Sequence, residues 1–450
     1  MDAVRSRHRI VILGAGFGGL TAAVRLSRRL GKRPGCEIVV VDKHTHHLYR
    51  PWLYEAATGD APESRLEAGV ATPFEDLRTH LAAEGVKVEY QEATGIDREA
   101  RALVLADGRR LAFDDLIVAV GAVPDFYGIE GLERHSHPLY SLQDALVVNR
   151  HLRELVAKKK KNEIPFIRVL VGGAGPTGVE FACEAASFMR TQVKKGRLGA
   201  GEYSIELIEA SPRPLPAFHP QLSAWARKRL ERLGVKLILD ACIRGAHRDH
   251  VVLAPRPLKA GETVDMLVCD FKKEHEKEVT SDLLVWCGGF KARPFVKDLG
   301  LPLDARGKIE VDATLRVKGE EHVWAVGDCL TLLDPESKRP VPQLAQGAIH
   351  QAERVAENVV RAMRGAPPEP YAFPVMHTLV PMGGAWGVAD VYGFRFRGYL
   401  VWPVRLATLV FGVLALELLD VCSRRRHLGD GADALAAAPD VFPGLGLAAV

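Results

Sequence analysis

The sequence predicts an α/β fold of two parallel-sheet units, one inserted into the other, and three observations predict it. Two glycine-rich turns each follow an apolar, β-branched run. Ile10-Val11-Ile12-Leu13 leads into Gly14-Ala15-Gly16-Phe17-Gly18-Gly19, and Val169-Leu170-Val171 leads into Gly172-Gly173-Ala174-Gly175-Pro176-Thr177-Gly178. Each turn opens a helical pattern, and each helix is followed by a second apolar run that ends in a carboxylate, Asp42 in one case and Glu209 in the other. Further strand-like runs flank the second turn, Leu116 to Gly121 before it and His322 to Asp328 after it. One such motif is a weak signal, but two with their own acidic followers define two Rossmann-like dinucleotide-binding domains. The expected boundaries are 1–150 for the first part of the first domain, 151–294 for the inserted domain, 295–380 for the return of the first, and 381–450 for a C-terminal region.

Each element follows from its residues. Ile10 to Leu13 is apolar throughout, as a strand buried on both faces requires. Gly14 permits a tight turn, Gly16 lets the backbone approach a pyrophosphate, and Gly19 lets the next helix pack close to the strand. That helix, expected over about 19–30, points its first N–H groups at the phosphates. The run 37–41 ends in Asp42, the acceptor for ribose hydroxyls. Leu116-Ile117-Val118-Ala119-Val120-Gly121 is another buried strand ending in glycine, and Gly327-Asp328 sets a carboxylate beside a glycine at the end of His322 to Val326. Gly173, Gly175 and Gly178 repeat the three glycine roles. The run Tyr203 to Ile208 ends in Glu209, which accepts from a ribose 2′-OH and repels a 2′-phosphate, so the second nucleotide is expected to be NADH rather than NADPH. Arg213, close behind, works against that discrimination. Two dinucleotides on one polypeptide imply electron transfer between them.

Composition narrows the class. With 450 residues the chain exceeds one ordinary hydrophobic core. An apolar fraction of 47% and a charged fraction of 26% describe a globular protein. A net charge of +4 argues against a nucleic-acid partner, and Lys158 to Lys161 reads as a solvated helix end or loop. Seven scattered cysteines give no disulfide framework, and the polar residues before Arg9 leave no room for a signal peptide, so a cytoplasmic setting is expected. No apolar run is long and charge-free enough for a transmembrane helix. His44, His46 and His47 lack a cysteine or carboxylate at ligand spacing, so no metal is expected.

A family resemblance rests on particular residues. Asp42-Lys43-His44-Thr45-His46-His47-Leu48-Tyr49-Arg50-Pro51-Trp52-Leu53-Tyr54-Glu55-Ala56-Ala57-Thr58-Gly59 resembles a stretch of type II NADH dehydrogenases, the single-subunit NADH:quinone oxidoreductases. Trp52 stands at the first leucine of their Pro-Leu-Leu-Tyr, and Arg50 stands where a glutamine is usual. The segment Glu209 to Phe218 is similar to their post-strand loop. The resemblance implies FAD in the first domain, held by Gly14, Gly16, Gly19, Asp42, Lys43, Gly121, Gly327 and Asp328. It implies NADH in the second, held by Gly173, Gly175, Gly178 and Glu209, with Glu180 facing the nicotinamide. Pro342-Gln343-Leu344-Ala345-Gln346-Gly347-Ala348-Ile349-His350-Gln351 resembles the family's Ala-Gln-x-Ala-x-Gln element beside the flavin and quinone, with His350 at the second glutamine. Gln346 and His350 are therefore candidate catalytic residues, and His350 a candidate proton donor to a reduced quinone.

The electron path is expected to need no thiol. Two close cysteines on the helix after the first nucleotide strand, the mark of disulfide reductases, are missing, and Cys287 and Cys329 are the candidates for a sulfide:quinone-reductase-like pair. Other open readings are an NADH-dependent reductase with a soluble acceptor and a non-enzymatic NADH-sensing flavoprotein. Leu406 to Leu416 is apolar but too short to span about 30 Å of hydrocarbon. Tyr399 and Trp402 on one side and Arg424 to Arg426 on the other suit a helix lying in the membrane interface, as in the resembled family, and a homodimer interface is the alternative use. The expected function is FAD-dependent transfer of electrons from NADH to a membrane quinone, without proton pumping, by a peripheral enzyme on the cytoplasmic face of the cell membrane. Residues 430–450 read as a loose tail.

Overall fold

Two five-stranded parallel sheets carry the two glycine turns, each on its central strand. The computed structural model describes residues 7–31, 35–62, 77–255, 276–333, 343–372 and 377–405. The first sheet runs, in spatial order, Val323–Ala325, Asp115–Val118, His8–Leu13, Cys36–Asp42 and Lys87–Tyr90. The second runs Val235–Ile238, Tyr203–Ile208, Ile167–Gly172, Leu283–Trp286 and His137–Pro138. In the first, Ile10 pairs with Ile38 on one side and Asp115 on the other; in the second, Val169 pairs with Ile205 and Leu283. The strand Val323–Ala325 returns to the first sheet after the second is complete, so the second unit is an insertion.

Local chemistry accounts for the boundaries. The first helix is Phe17–Leu30, two residues longer at its start than the sequence suggests, because Gly16 is extended and Leu20 N already bonds Gly16 O. The next strand begins at Cys36, one residue earlier than expected, since Cys36 continues the ladder opposite His8. Helix Leu142–Lys160 opens on a capping box in which Ser141 and Asp144 satisfy each other's backbone N–H. It ends in lysines that suit the negative end of the helix. Lys159 is not solvated as the lysine run suggests: it is buried and pairs with Glu202 at 2.8 Å.

The second sheet draws on residues ahead of 151. His137–Pro138 is its edge strand, and Ala145, Val148, Leu152, Leu155 and Val156 of the following helix lie in its core. The helix Leu53–Thr58 follows the first sheet in sequence, yet Leu53, Tyr54, Ala56 and Ala57 also pack in the second core. Strands Ala122–Pro124 and Phe290–Ala292 form the antiparallel pair where the chain crosses between units. A small sheet of Thr378–Pro381, Gly387–Val391 and Phe394–Gly398 closes the described chain, with Val380, Met382 and Val388 in the second core. Among the described residues no helix is long and apolar enough to cross a membrane. The apolar run from Leu406, the arginines at 424–426 and the tail lie outside the described residues, as does Pro342 of the acceptor element.

Candidate active site

The two glycine turns repeat one geometry. Gly14 has φ +104° and Gly173 φ +97°, and a Cβ at either would lie within 3 Å of a neighbouring carbonyl oxygen, that of Ala119 or Cys287. A Cβ on Gly19 would sit 1.8 Å from Gly14 O, and one on Gly178 1.9 Å from Gly173 O. Those four glycines are required by the protein itself. At Gly16 and Gly175, the N-caps of the two helices, a Cβ would meet nothing within 4 Å, so the protein itself does not require glycine there and the space in front of each helix end is open. Neither following helix has a side-chain cap or an acid in its first turn, which leaves the positive helix end for an anion. The residues fit two pyrophosphates.

Asp42 and Glu209 do more than the sequence foretells. Asp42 accepts from Ala15 N at 2.7 Å and from His44 N at 2.8 Å. Glu209 accepts from Ala174 N at 2.7 Å and from Ser211 N at 2.9 Å. Each carboxylate thus clasps its own glycine turn and holds the middle of it open. His47 braces the first turn as well: it is buried, its Nδ1 lies 3.0 Å from Ala15 O, and burial holds its pKa below the usual value. Arg213 donates to Phe218 O at 3.0 Å and Pro216 O at 2.8 Å, so its guanidinium is committed to its own loop. Lys43 turns to the surface and pairs with Glu92 at 2.8 Å.

The remaining first-domain residues gather around the helix Ala345–Met363. Gly327, at φ +81°, donates its N–H to Gln351 Oε1 at 2.7 Å, and Gln343 donates to Asp328 O at 3.1 Å. A cavity there is lined by Lys308, Asp328, Gly347, Ala348 and Gln351. Burial pushes the Asp328 carboxyl up, against the opposing pull of Arg50 and Lys308. Gln346 and His350 lie one helical turn apart but do not line this cavity. His350 Nδ1 stands 3.4 Å from Glu353, which also bonds Arg25 of the first helix. Gln351, beside the residue that sequence comparison singles out, makes the contact to Gly327.

A carboxylate cluster forms where the units meet. Glu180 is on the helix Pro176–Lys194 that the second turn opens; burial pushes its carboxyl up to about 8, with Glu55 and Glu184 adding repulsion and Arg405 opposing. Glu184 accepts from Gly384 N at 3.0 Å, and burial also raises its pKa. Arg405, buried in the helical stretch 401–405, reaches Glu55 at 3.3 Å and lies over the Tyr54 and Trp402 rings. Sequence reading treats Arg405 only as an interruption of an apolar run. The usable signal is that a charge within such a run must find a partner when buried. Tyr49 connects this cluster to the first turn: its ring stacks edge-on against Phe17 at 5.6 Å, and its pKa, pushed to about 12 by burial, also feels Arg405 and Glu180.

The candidate pair Cys287 and Cys329 is poorly placed for redox work. Burial pushes Cys287 to about 12 and Cys329 to about 11, and the two follow strand ends in different sheets. Cys329 donates its S–H to Val326 O at 3.3 Å. Cys183 is fully buried and its pKa is raised further. These are protonated core thiols, not nucleophiles. Among the described residues no histidine, cysteine and carboxylate group could hold a metal.

Two open glycine cradles, each on the central strand of its own parallel sheet, belong to a recognisable class, and the chain is a member of the pyridine nucleotide-disulphide oxidoreductase family, which matches residues 8–352. More particularly, it is 28% identical over 397 residues to the type II NADH:quinone oxidoreductase of Staphylococcus aureus, covering 88% of this chain and 92% of that protein. In fold it is similar to NDH2 from Plasmodium falciparum in complex with NADH, with a TM-score of 0.73, 16% identity, and 90% and 94% of the two chains covered. It is equally similar to the sulfide:quinone oxidoreductase of Aquifex aeolicus, with a TM-score of 0.73, 17% identity and 91% of each chain covered.

Proposed function

We propose that this chain oxidises NADH through FAD and passes the electrons to a membrane quinone: NADH, a proton and quinone give NAD⁺ and quinol. The observation that carries this reading is the pair of open glycine cradles on the central strands of two parallel sheets, with the thiols Cys287 and Cys329 held protonated among the described residues. FAD, when bound, supplies the two-electron relay. The first cradle takes FAD and the second NADH, with Glu209 favouring a free 2′-hydroxyl. The protein's own part is to hold both nucleotides in register and keep water out. Glu180, titrating near 8, is mostly protonated at neutral pH and faces the nicotinamide, where it can give up a proton. Gln346 and His350, one turn apart on the helix Ala345–Met363, are assigned to the quinone side by the resemblance of their segment to the family's acceptor element, with His350 as the second proton donor.

The enzyme docks peripherally on the cytoplasmic face of the membrane through the segment that starts at Tyr399. Support comes from the exposure of Tyr399 and Leu400, 72% and 70%, immediately before the apolar run. Homologous activity in the Staphylococcus aureus relative supports the quinone as acceptor. The deciding experiment is anaerobic: NADH should bleach the flavin rapidly, and a quinone analogue should restore the colour. Restoration by soluble dyes but not by quinones favours a soluble-acceptor reductase, and slow bleaching with a long-lived charge-transfer band favours a sensor.

A further inference from the structure

Arg50 and Arg293 converge on one phenol beside the first cradle. Arg50 Nη2 donates to the Tyr140 hydroxyl at 2.7 Å and Arg293 Nη2 donates to the same oxygen at 2.9 Å. Tyr140 in turn donates to Ala122 O, and Arg293 Nε donates to Val120 O at 2.7 Å. The Arg50 guanidinium carbon lies 4.2 Å from the Tyr140 ring centroid. Both arginines are half-buried, and neither has a carboxylate within ion-pair distance among the described residues. A neutral phenol and two carbonyls fix this pair of half-buried cations in place without neutralising them, and the buried Asp328 carboxylate feels the charge of Arg50.

The other edge of Arg50 faces Gly121. Its Nη1 is 3.9 Å from where a Cβ on Gly121 would be, the only atom within 4 Å of that point among the described residues apart from Gly121 and its chain neighbours. Its charge is the largest favourable influence on the buried Asp328 carboxylate. The pyrophosphate already has Gly16 and the first-helix N-terminus. Arg50 belongs instead to the short turn Arg50–Trp52, between Tyr49 and the helix that carries Tyr54 toward Glu180. The turn thus leads from Tyr49, which packs on Phe17 of the first cradle, into the helix whose Tyr54 feels the charge of Glu180.

We infer that Arg50, braced by Tyr140 and seconded by Arg293, is the electrostatic partner of the flavin ring and sets its reduction potential. The inference rests on FAD occupying the first cradle. Hydride transfer moves two electrons and one proton from NADH, leaving NAD⁺, so the ring gains one negative charge. A fixed guanidinium favours that reduced, anionic form over the neutral oxidised one. Glutamine at this position would hydrogen-bond but not supply the charge.

The test is spectroelectrochemical titration of the FAD-loaded full chain, without quinone. Arg50→Gln should retain FAD and lower the reduction equilibrium constant about tenfold, about 30 mV for a two-electron couple. Arg50→Lys should keep most of the potential, and Tyr140→Phe should lose part of it by freeing the guanidinium. An unchanged potential in FAD-loaded Arg50→Gln overturns the inference. So does loss of FAD with an unaltered potential in the flavin that remains, because the cation would then serve the diphosphate. Failure here leaves the quinone reading intact, whereas full FAD retention by Gly16→Glu would remove the premise that the first cradle holds it.

Discussion

Glu180 illustrates how one side chain can be tuned by neighbours from three elements. Burial and the carboxylates Glu55 and Glu184 raise its pKa, and Arg405 restrains it. Below about 8 the group is protonated, so a proton-dependent step should fall away as pH rises through that value. In Glu180→Gln this alkaline limb should disappear from the pH profile of quinone reduction. In Arg405→Gln it should move to higher pH, because a restraining charge has gone. Stopped-flow rates between pH 6 and 9.5 check both. At the second cradle, Glu209→Ala removes the clasp on Ala174 and Ser211. NADH KM should rise about tenfold, the equivalent of one charge-assisted hydrogen bond. NADPH should gain little, since Arg213 stays bound to Pro216 and Phe218. His8 shows linkage of the opposite kind from a strained acid: its bond to Asp115 at 2.8 Å raises its pKa. That stabilisation is complete below the unfolded value of about 6.5 and is lost as pH rises through the folded one. His8→Gln should therefore cost more stability at pH 5.5 than at pH 9, by under about 1 kcal/mol, measured by urea unfolding.

At the scale of elements, the glycine turns separate structural from ligand-directed need. Gly19→Ala forces a Cβ onto Gly14 O and should destabilise the fold by about 2 kcal/mol or more. Gly16→Ala meets nothing within the protein, so melting of the FAD-free chain should be nearly unchanged while FAD affinity drops. Calorimetry on the apoprotein and a flavin-binding titration distinguish the two. The turns were legible because glycine spacing is a local consequence of steric demand. The clasp by Asp42 and Glu209 was legible only as an acid at a strand end, since its partners are backbone groups about 27 and 35 residues earlier. The choice of Gln351 over His350 for Gly327 depends on helix phase relative to a distant strand, and no local pattern records it. Arg405 was hidden for a similar reason: its partners Glu55 and Tyr54 lie on the far side of the sequence.

For the whole molecule, the order of strands matters more than their number. The flanking runs before and after the second turn correctly announced an insertion. The place of His137–Pro138 in the second sheet was invisible, because a two-residue edge strand has no period to read. The helix Leu53–Thr58 and the C-terminal strands, both packed in the second core, tie the units together. A truncation near Gly393 should release the chain from membranes and also, by removing Arg405, shift the titration of Glu180. Flotation with liposomes reads the first effect separately from the kinetics. If the truncated chain still floats but sediments at half the mass, the terminal segment serves to pair two chains.

The late return of Val323–Ala325 has a consequence for biosynthesis. That strand pairs with Leu116 to Val118, roughly 200 residues earlier, and the Gly327-Asp328 corner follows directly behind it. A ribosome adding about 5–20 residues per second needs on the order of 10–40 s to cover that interval. Throughout it the nascent first sheet has an unpaired edge and half a cradle, while the second sheet is completed at Leu283–Trp286, with Val380, Met382 and Val388 of its core still to come. Flavin capture is thus confined to the last stretch of translation, and a chain stalled before Val323 would carry the complete second sheet and its glycine turn with no finished first cradle beside them.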